Sequence, residues 1–207
     1  MKLSPTWRKI ALSAHVTSSV GWFGAVIAFL ALALIGLRGN EGDGVIRSAY
    51  VAMEAIGWFV IVPFSLASLV TGLVQSLGTQ WGLIRHYWVL AKLLITVGAS
   101  VLLMLHMQVV GTVAEAASSG SLSVDHLRDP RMQLVADAGA ASVVLLVAVL
   151  LSVFKPPGRT SFAGVQPDGP QEFATRTPMV YAFWGTVIAL VLAIVIRHLS
   201  GGIPGHH

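Results

Sequence analysis

The stretch His15–Leu37 reads HVTSSVGWFGAVIAFLALALIGL, and together with the apolar lead-in from Trp7 it decides the fold. The run is well past the roughly 18 residues at which a buried core helix gives way to a membrane-spanning one. Its first half is unusual for such a segment. His15, Thr17, Ser18, Ser19 and the "GWFG" of 21–24 stand where a lipid-facing helix would carry leucine. A face built this way either packs against other helices or holds something.

Composition agrees with the membrane reading. Of 207 residues, 55% are hydrophobic and only 11% are charged, whereas a soluble domain is roughly a quarter charged. The absence of cysteine excludes disulfides, thiolate metal sites, thioether-attached haem and cysteine nucleophiles. The net charge of +4 comes from basic residues that mostly flank apolar runs. That distribution is a matter of topology, and nucleic acid is not an expected partner. The start, MKLSPTWRK, has the positive charge of a signal peptide. The apolar run then continues to Leu37, beyond the roughly 7–15 residues of a signal core, so an uncleaved first span is expected.

Working outward, the expected fold is an all-α integral membrane protein, a single domain over 1–207 with five transmembrane helices. The spans fall at about 7–37, 46–77, 85–117, 131–154 and 178–199, each long enough for a hydrocarbon core of about 30 Å. Pro63 sits near the middle of the second and frees the carbonyl of Phe59, which invites a kink. The segment 155–177 is the one sizeable loop. With the N-terminus inside, Lys2, Arg8, Lys9, Arg85, Lys92, Lys155, Arg159 and Arg176 gather on the inner side, and Arg38, Arg47, Arg128, Arg131 and Arg197 on the outer. Eight against five predicts a cytoplasmic N-terminus, an outside C-terminus and a multi-pass protein of the plasma membrane.

An ionisable side chain inside a span is expensive and normally faces the bundle interior. His15, Ser18, Ser19 and Trp22 recur at i, i+3, i+4 and i+7, one helical face. Two readings stand for that face: a packing seam with a histidine bonded to a neighbouring carbonyl, or a ligand steered by hydroxyls. In the second span Glu54, Gly57, Ile61, Ser65, Ser68, Gly72 and Gln75 form a continuous polar or small stripe. Its expected place is the bundle centre, with Glu54 also a candidate proton or cation site. Lys92, Ala99 and His106 share a face of the third span, whereas His86 lies about 200° round the helix from His106. Asp137 sits at a depth similar to Glu54, and His198 ends the fifth span on the same side. Glu54, His106, Asp137 and His198 are therefore candidates to converge in the outer half.

The pattern of His15, Trp22, Phe23 and Gly24 resembles small bundle proteins related to the copper-resistance D (CopD) family, and is similar to the start of HemJ-type protoporphyrinogen oxidases. Lys92 followed by His106 is similar to the lysine and histidine of a later HemJ span, with a separation longer here by about one helical turn. The chain looks nearest to an actinobacterial-type branch of this group, over roughly residues 7–117. The resemblance implies a bundle that binds haem b with His15 as first ligand, and Lys92 in that family's catalytic lysine role. The copper-linked members imply metal handling instead, for which His15 and His106 are the candidate ligands.

The function expected from these residues is a haem b-binding membrane protein with an electron-transfer or porphyrin-related role. His15 serves an inner-half site, with Ser18 and Trp22 beside it and His86 as its candidate partner; His106 serves an outer-half site with His198. The alternatives are a small proton- or metal-ion-coupled transporter using Glu54, His106 and Asp137, and an accessory subunit whose polar residues are interhelical glue. Expected partners are the lipid bilayer, a redox or membrane-protein partner, and further copies of the chain in a homo-oligomer.

Overall fold

A computed structural model describes residues 3–38, 44–78, 83, 86–120 and 124–154, the side chains of 124–128 excepted. The expected fifth span and the 155–177 loop, and with them His198, lie outside the described residues. Within them, four helical segments are long and apolar enough to cross a membrane: Pro5–Arg38, Gly44–Gly78, Tyr87–Ser119 and Asp129–Phe154. The multi-pass membrane reading therefore holds for four spans.

Helix α1 (Pro5–Arg38) has 34 residues, about 51 Å at 1.5 Å per residue, so it projects beyond the hydrocarbon layer. The second span is composite. Helix α2 (Gly44–Ile56) passes into a π-helical turn over Gly57–Ile61 and continues as α3 (Val62–Gly78). Pro63 explains the interruption, since it has no N–H for the Phe59 carbonyl and its ring crowds the preceding turn. The widened turn absorbs both defects, closing with the Val62 N–H donating to the Gly57 carbonyl.

Helix α4 (Tyr87–Ser119) starts two residues later than the hydropathy suggests and stops at Gly120. There φ is +74°, and the Gly120 N–H donates back to the carbonyls of Ala116 and Ala117, as in a left-handed glycine cap. Helix α5 (Val124–Phe154) begins seven residues before the expected start at 131 and carries Pro130 inside it. The proline stands in the second turn, where it removes one backbone bond near the helix start and leaves the apolar stretch that follows intact.

The four spans form a ring. α1 packs against the second span and against α5, the second span packs against α4, and α4 packs against α5. Sequential spans alternate in direction, so this is an up-down-up-down four-helix arrangement. One half of the bundle, containing the end of α1, is filled by Trp22, Val26, Phe29 and Ala33 at helical spacing, by Tyr50 and Met53, and by Met107, Val110 and Val113. Large apolar side chains also cover the outside. Val20, Ile27, Val70, Leu94, Val101 and Val153 are exposed, and Phe59 is 81% exposed. Such a surface belongs in lipid.

Lipid tails are as apolar as leucine, so burial does not drive these helices together; close packing and hydrogen bonds do. The small-residue stripe of the second span turns inward accordingly, with Gly57, Ile61, Ser65 and Ser68 all buried. A Cβ at Gly57 would stand 2.5 Å from Cε of Met107, and one at Gly36 would stand 2.6 Å from Cζ of Tyr50. Both contacts bring a neighbouring helix to the backbone itself. Arg131 then ties three helices at one end of the bundle. Its Nε donates to the Tyr50 hydroxyl at 2.8 Å, its Nη2 donates to the Gly36 carbonyl, and its guanidinium lies 5.7 Å from the Tyr50 ring centroid.

Candidate functional site

Among the described residues, two of the cavities lie one above the other along the bundle. The lower lies in the half where α1 begins, the upper in the half where α1 ends.

The lower cavity has a volume of about 390 Å³ and is lined by His15 and Ser19 of α1, Gly72 and Gln75 of α3, Trp88 and Lys92 of α4, and Ser152 of α5. Its volume is in the range of small-ligand pockets, roughly 300–1,000 Å³. His15 is fixed by the second span. Its Nδ1 lies 3.1 Å from the Ser68 carbonyl and 3.2 Å from the Thr71 hydroxyl. A carbonyl oxygen only accepts, and the Thr71 hydroxyl already donates to the Ala67 carbonyl at 2.6 Å, so Nδ1 carries the proton and donates. The neutral ring then keeps a lone pair on Nε2, the arrangement found in metal-ligating histidines. Gly72 makes room for this, since a Cβ there would stand 3.1 Å from Cε1 of the ring. Ser18 donates to the His15 carbonyl at 3.1 Å and lies 3.4 Å from the Thr71 hydroxyl, while Ser19 and Ser68 share a hydroxyl bond of 2.8 Å. The hydroxyls of Ser18 and Ser19 thus join α1 to α3, while the ring itself is oriented by the Ser68 carbonyl and the Thr71 hydroxyl of α3.

Lys92 faces the same cavity. Its Nζ donates to the Ser152 hydroxyl at 2.6 Å, which donates onward to the Ala148 carbonyl at 2.9 Å. Among the described residues, no carboxylate lines this cavity. An ammonium and a ligand-ready imidazole thus share one chamber with mostly apolar walls.

The upper cavity is smaller, about 120 Å³, and its walls include Trp22, Phe29, Ala99, Leu103, Met107 and Leu145. His106 and Asp137 are its polar members, with Nδ1 and Oδ2 3.1 Å apart. The Phe29 ring leans on His106 at 6.2 Å between centroids and 59° between planes.

The expected site residues therefore separate. His15 and Lys92 meet in the lower chamber, and His106 and Asp137 meet in the upper one. Trp22 does not stand beside His15 as a ligand-side neighbour, because by residue 22 the face of α1 has passed into the upper cavity. Ser18 supports Thr71 and does not line the lower chamber. His86 precedes the first turn of α4, its ring 6.4 Å from that of Trp88, and does not line the chamber of His15. Glu54 does not line the cavity of His106 and Asp137. Its Oε1 lies against α4, 3.6 Å from where a Gly111 Cβ would be. Among the described residues there is no group of three or more His, Cys, Asp or Glu side chains placed to hold a metal ion.

Two contacts escaped the sequence reading, the Lys92–Ser152 bond and the Arg131–Tyr50–Gly36 tie. Both join residues far apart in the chain, and no periodicity within one span announces them. Comparison with known proteins yields no relative: no family model, curated protein or solved structure matches this chain.

Proposed function

We propose that the chain binds a haem b-type tetrapyrrole in the lower cavity, with His15 as axial ligand, and has a redox or porphyrin-related role in the plasma membrane. The observation that carries this reading is the His15 ring, whose Nδ1 donates to the Ser68 carbonyl and so leaves Nε2 as a ligand atom. The donor set suits haem b. Neutral imidazole is a common axial ligand, the walls are mostly apolar, and the Lys92 ammonium matches the carboxylate side chains that haem b bears. Bound there, haem supplies one-electron chemistry at a potential governed by its axial ligand and by exclusion of water. In this reading His106 is not the second ligand, because it serves the other cavity. The likeness of His15, Trp22 and Lys92 to CopD- and HemJ-type sequences supports the same reading, as does the mostly apolar lining of the chamber. The topology that goes with it has five spans, a cytoplasmic N-terminus and the lower cavity in the inner half, with a redox partner and further copies of the chain as associates.

Absorption of the purified protein tests the proposal. A Soret band is expected in the wild type and in His106→Ala, and its loss in His15→Ala. A colourless wild type, even after haem is supplied during expression and again after purification, overturns it.

A further inference from the structure

Helix α4 carries a polar stripe on its lipid-facing side. Gln108, Thr112 and Glu115 recur at i, i+4 and i+7 and are exposed, opposite the buried Val110, Val113 and Ala117. A helix of 33 residues projects about 10 Å beyond each face of a core of about 30 Å. Gln108, about 16 Å from the end of α4, stands at hydrocarbon depth, and Glu115, about 6 Å from it, at headgroup depth. The Thr112 hydroxyl is satisfied within the helix, donating to the Gln108 carbonyl at 3.0 Å. The Gln108 side-chain amide has no hydrogen-bond partner among the described residues. A bare amide in hydrocarbon is costly, and in membrane bundles such groups bond across helices.

The neighbouring α2 carries the complement. Glu54 Oε1 lies 3.6 Å from where a Gly111 Cβ would be, which fixes the register of these two antiparallel helices. By that register Glu54 stands about 4.5 Å in depth from Gln108. Arg47 is exposed, two turns earlier on the same side of α2, and stands about 4.5 Å in depth from Glu115. Neither a Gln108–Glu54 bond nor an Arg47–Glu115 pair forms among the described residues. A two-fold axis along the membrane normal sets α2 of one copy against α4 of the other. It brings each pair together twice, because an isologous interface makes every contact reciprocal.

We propose that the α2/α4 face is the interface of a homodimer, in which the Gln108 amide of each copy donates to Glu54 of the other and Arg47 of each pairs with Glu115 of the other. A second copy suits this face better than lipid or an apolar helix, since it supplies a donor for the carboxylate and an anion for the arginine at matching depth. None of the four residues lines the lower cavity, so the proposal does not rest on haem.

The test is Förster transfer in liposomes between full chains labelled at Ser4→Cys, an exposed position in a protein that otherwise has no cysteine. Wild type is expected to show transfer above the level of randomly mixed chains, persisting on dilution with lipid. Arg47→Glu alone and Glu115→Arg alone each set like charges opposite one another twice, and each is expected to weaken association at least roughly tenfold. Mixed together, the two variants restore both pairs, and transfer between them is expected to return to near the wild-type level. Gln108→Leu removes two bonds and is expected to weaken association roughly tenfold. It puts leucine where lipid meets the monomer, so it keeps the test decisive if a charge variant loses its helical circular dichroism. The proposal is overturned if wild type transfers no more than chance, the result expected if residues 178–199 of the same chain cover this face. It is also overturned if a folded reversal or Gln108→Leu associates as wild type does, or if the mixed reversals stay apart. Haem absorption is not the readout, so failure here leaves the reading of the lower cavity untouched, and the converse holds.

Discussion

Gly36→Ala is a one-carbon change whose effect follows from the contacts at one end of the bundle. The new Cβ would stand 2.6 Å from Cζ, 2.8 Å from the hydroxyl and 3.0 Å from Cε1 of Tyr50. Those distances are well inside van der Waals contact, so the ring or the helices must move. The ring has little freedom: Tyr50 is 1% exposed, and its hydroxyl accepts from Arg131 Nε at 2.8 Å. Overpacking of this kind costs about 1–3 kcal/mol, and releasing the Arg131 bond costs about 1 kcal/mol more. Against this, alanine is a better helix former than glycine by about 1 kcal/mol. The net expectation is a destabilisation of about 2 kcal/mol, on the order of thirtyfold in the unfolding equilibrium. Reversible unfolding in mixed detergent micelles, followed by circular dichroism, measures it. A second background isolates the cause, because Tyr50→Leu removes the ring atoms that the Cβ would strike. In that background Gly36→Ala should be neutral or stabilising by up to about 1 kcal/mol. If Gly36→Ala stabilises the otherwise wild-type protein, the close approach of α1 and α2 is refuted.

Other contacts give sharper or smaller effects. Lys92→Met keeps the length of the side chain but removes an ammonium whose partner is the Ser152 hydroxyl; it should raise the stability of the ligand-free protein by about 1–2 kcal/mol. A fall in the thermal midpoint would show instead that the charge is paired within the fold. Ser19→Ala deletes one hydroxyl bond between α1 and α3, for which about 0.6 kcal/mol is expected by analogy with interhelical bonds in other membrane bundles. A loss above about 2 kcal/mol would mean that Ser19 does more than join two helices.

Much of the interior follows from local pattern. The stripe from Gly57 to Ser68 does turn inward, because glycine and serine permit close approach that leucine forbids. Pro63 does disturb its span, as a π-helical turn rather than a simple bend, since the missing N–H can be accommodated by widening the turn before it. The His15 ring is held by the Thr71 hydroxyl and the Ser68 backbone carbonyl of another helix, not by the hydroxyls of its own face. The assignment of Trp22 to the site of His15 fails for a geometric reason: seven residues advance a helix by about 10 Å, enough to pass from one chamber into the next.

Apolar run length, charge placement and the penalty for polar groups in lipid are properties of each segment, so the sequence by itself determined that the chain is a helical membrane bundle and which side chains are out of place in lipid. Which of those side chains meet is a property of pairs. That Lys92 donates to Ser152, sixty positions away, and that His106 stands against Asp137 depend on the order of the helices in the ring and on the depth at which each is set. Spans that are apolar on every side carry almost no periodic signal for either quantity, because lipid and protein interior accept the same residues. Only the packed structure decided that, among the described residues, a histidine and a lysine line one cavity while a histidine and an aspartate line another.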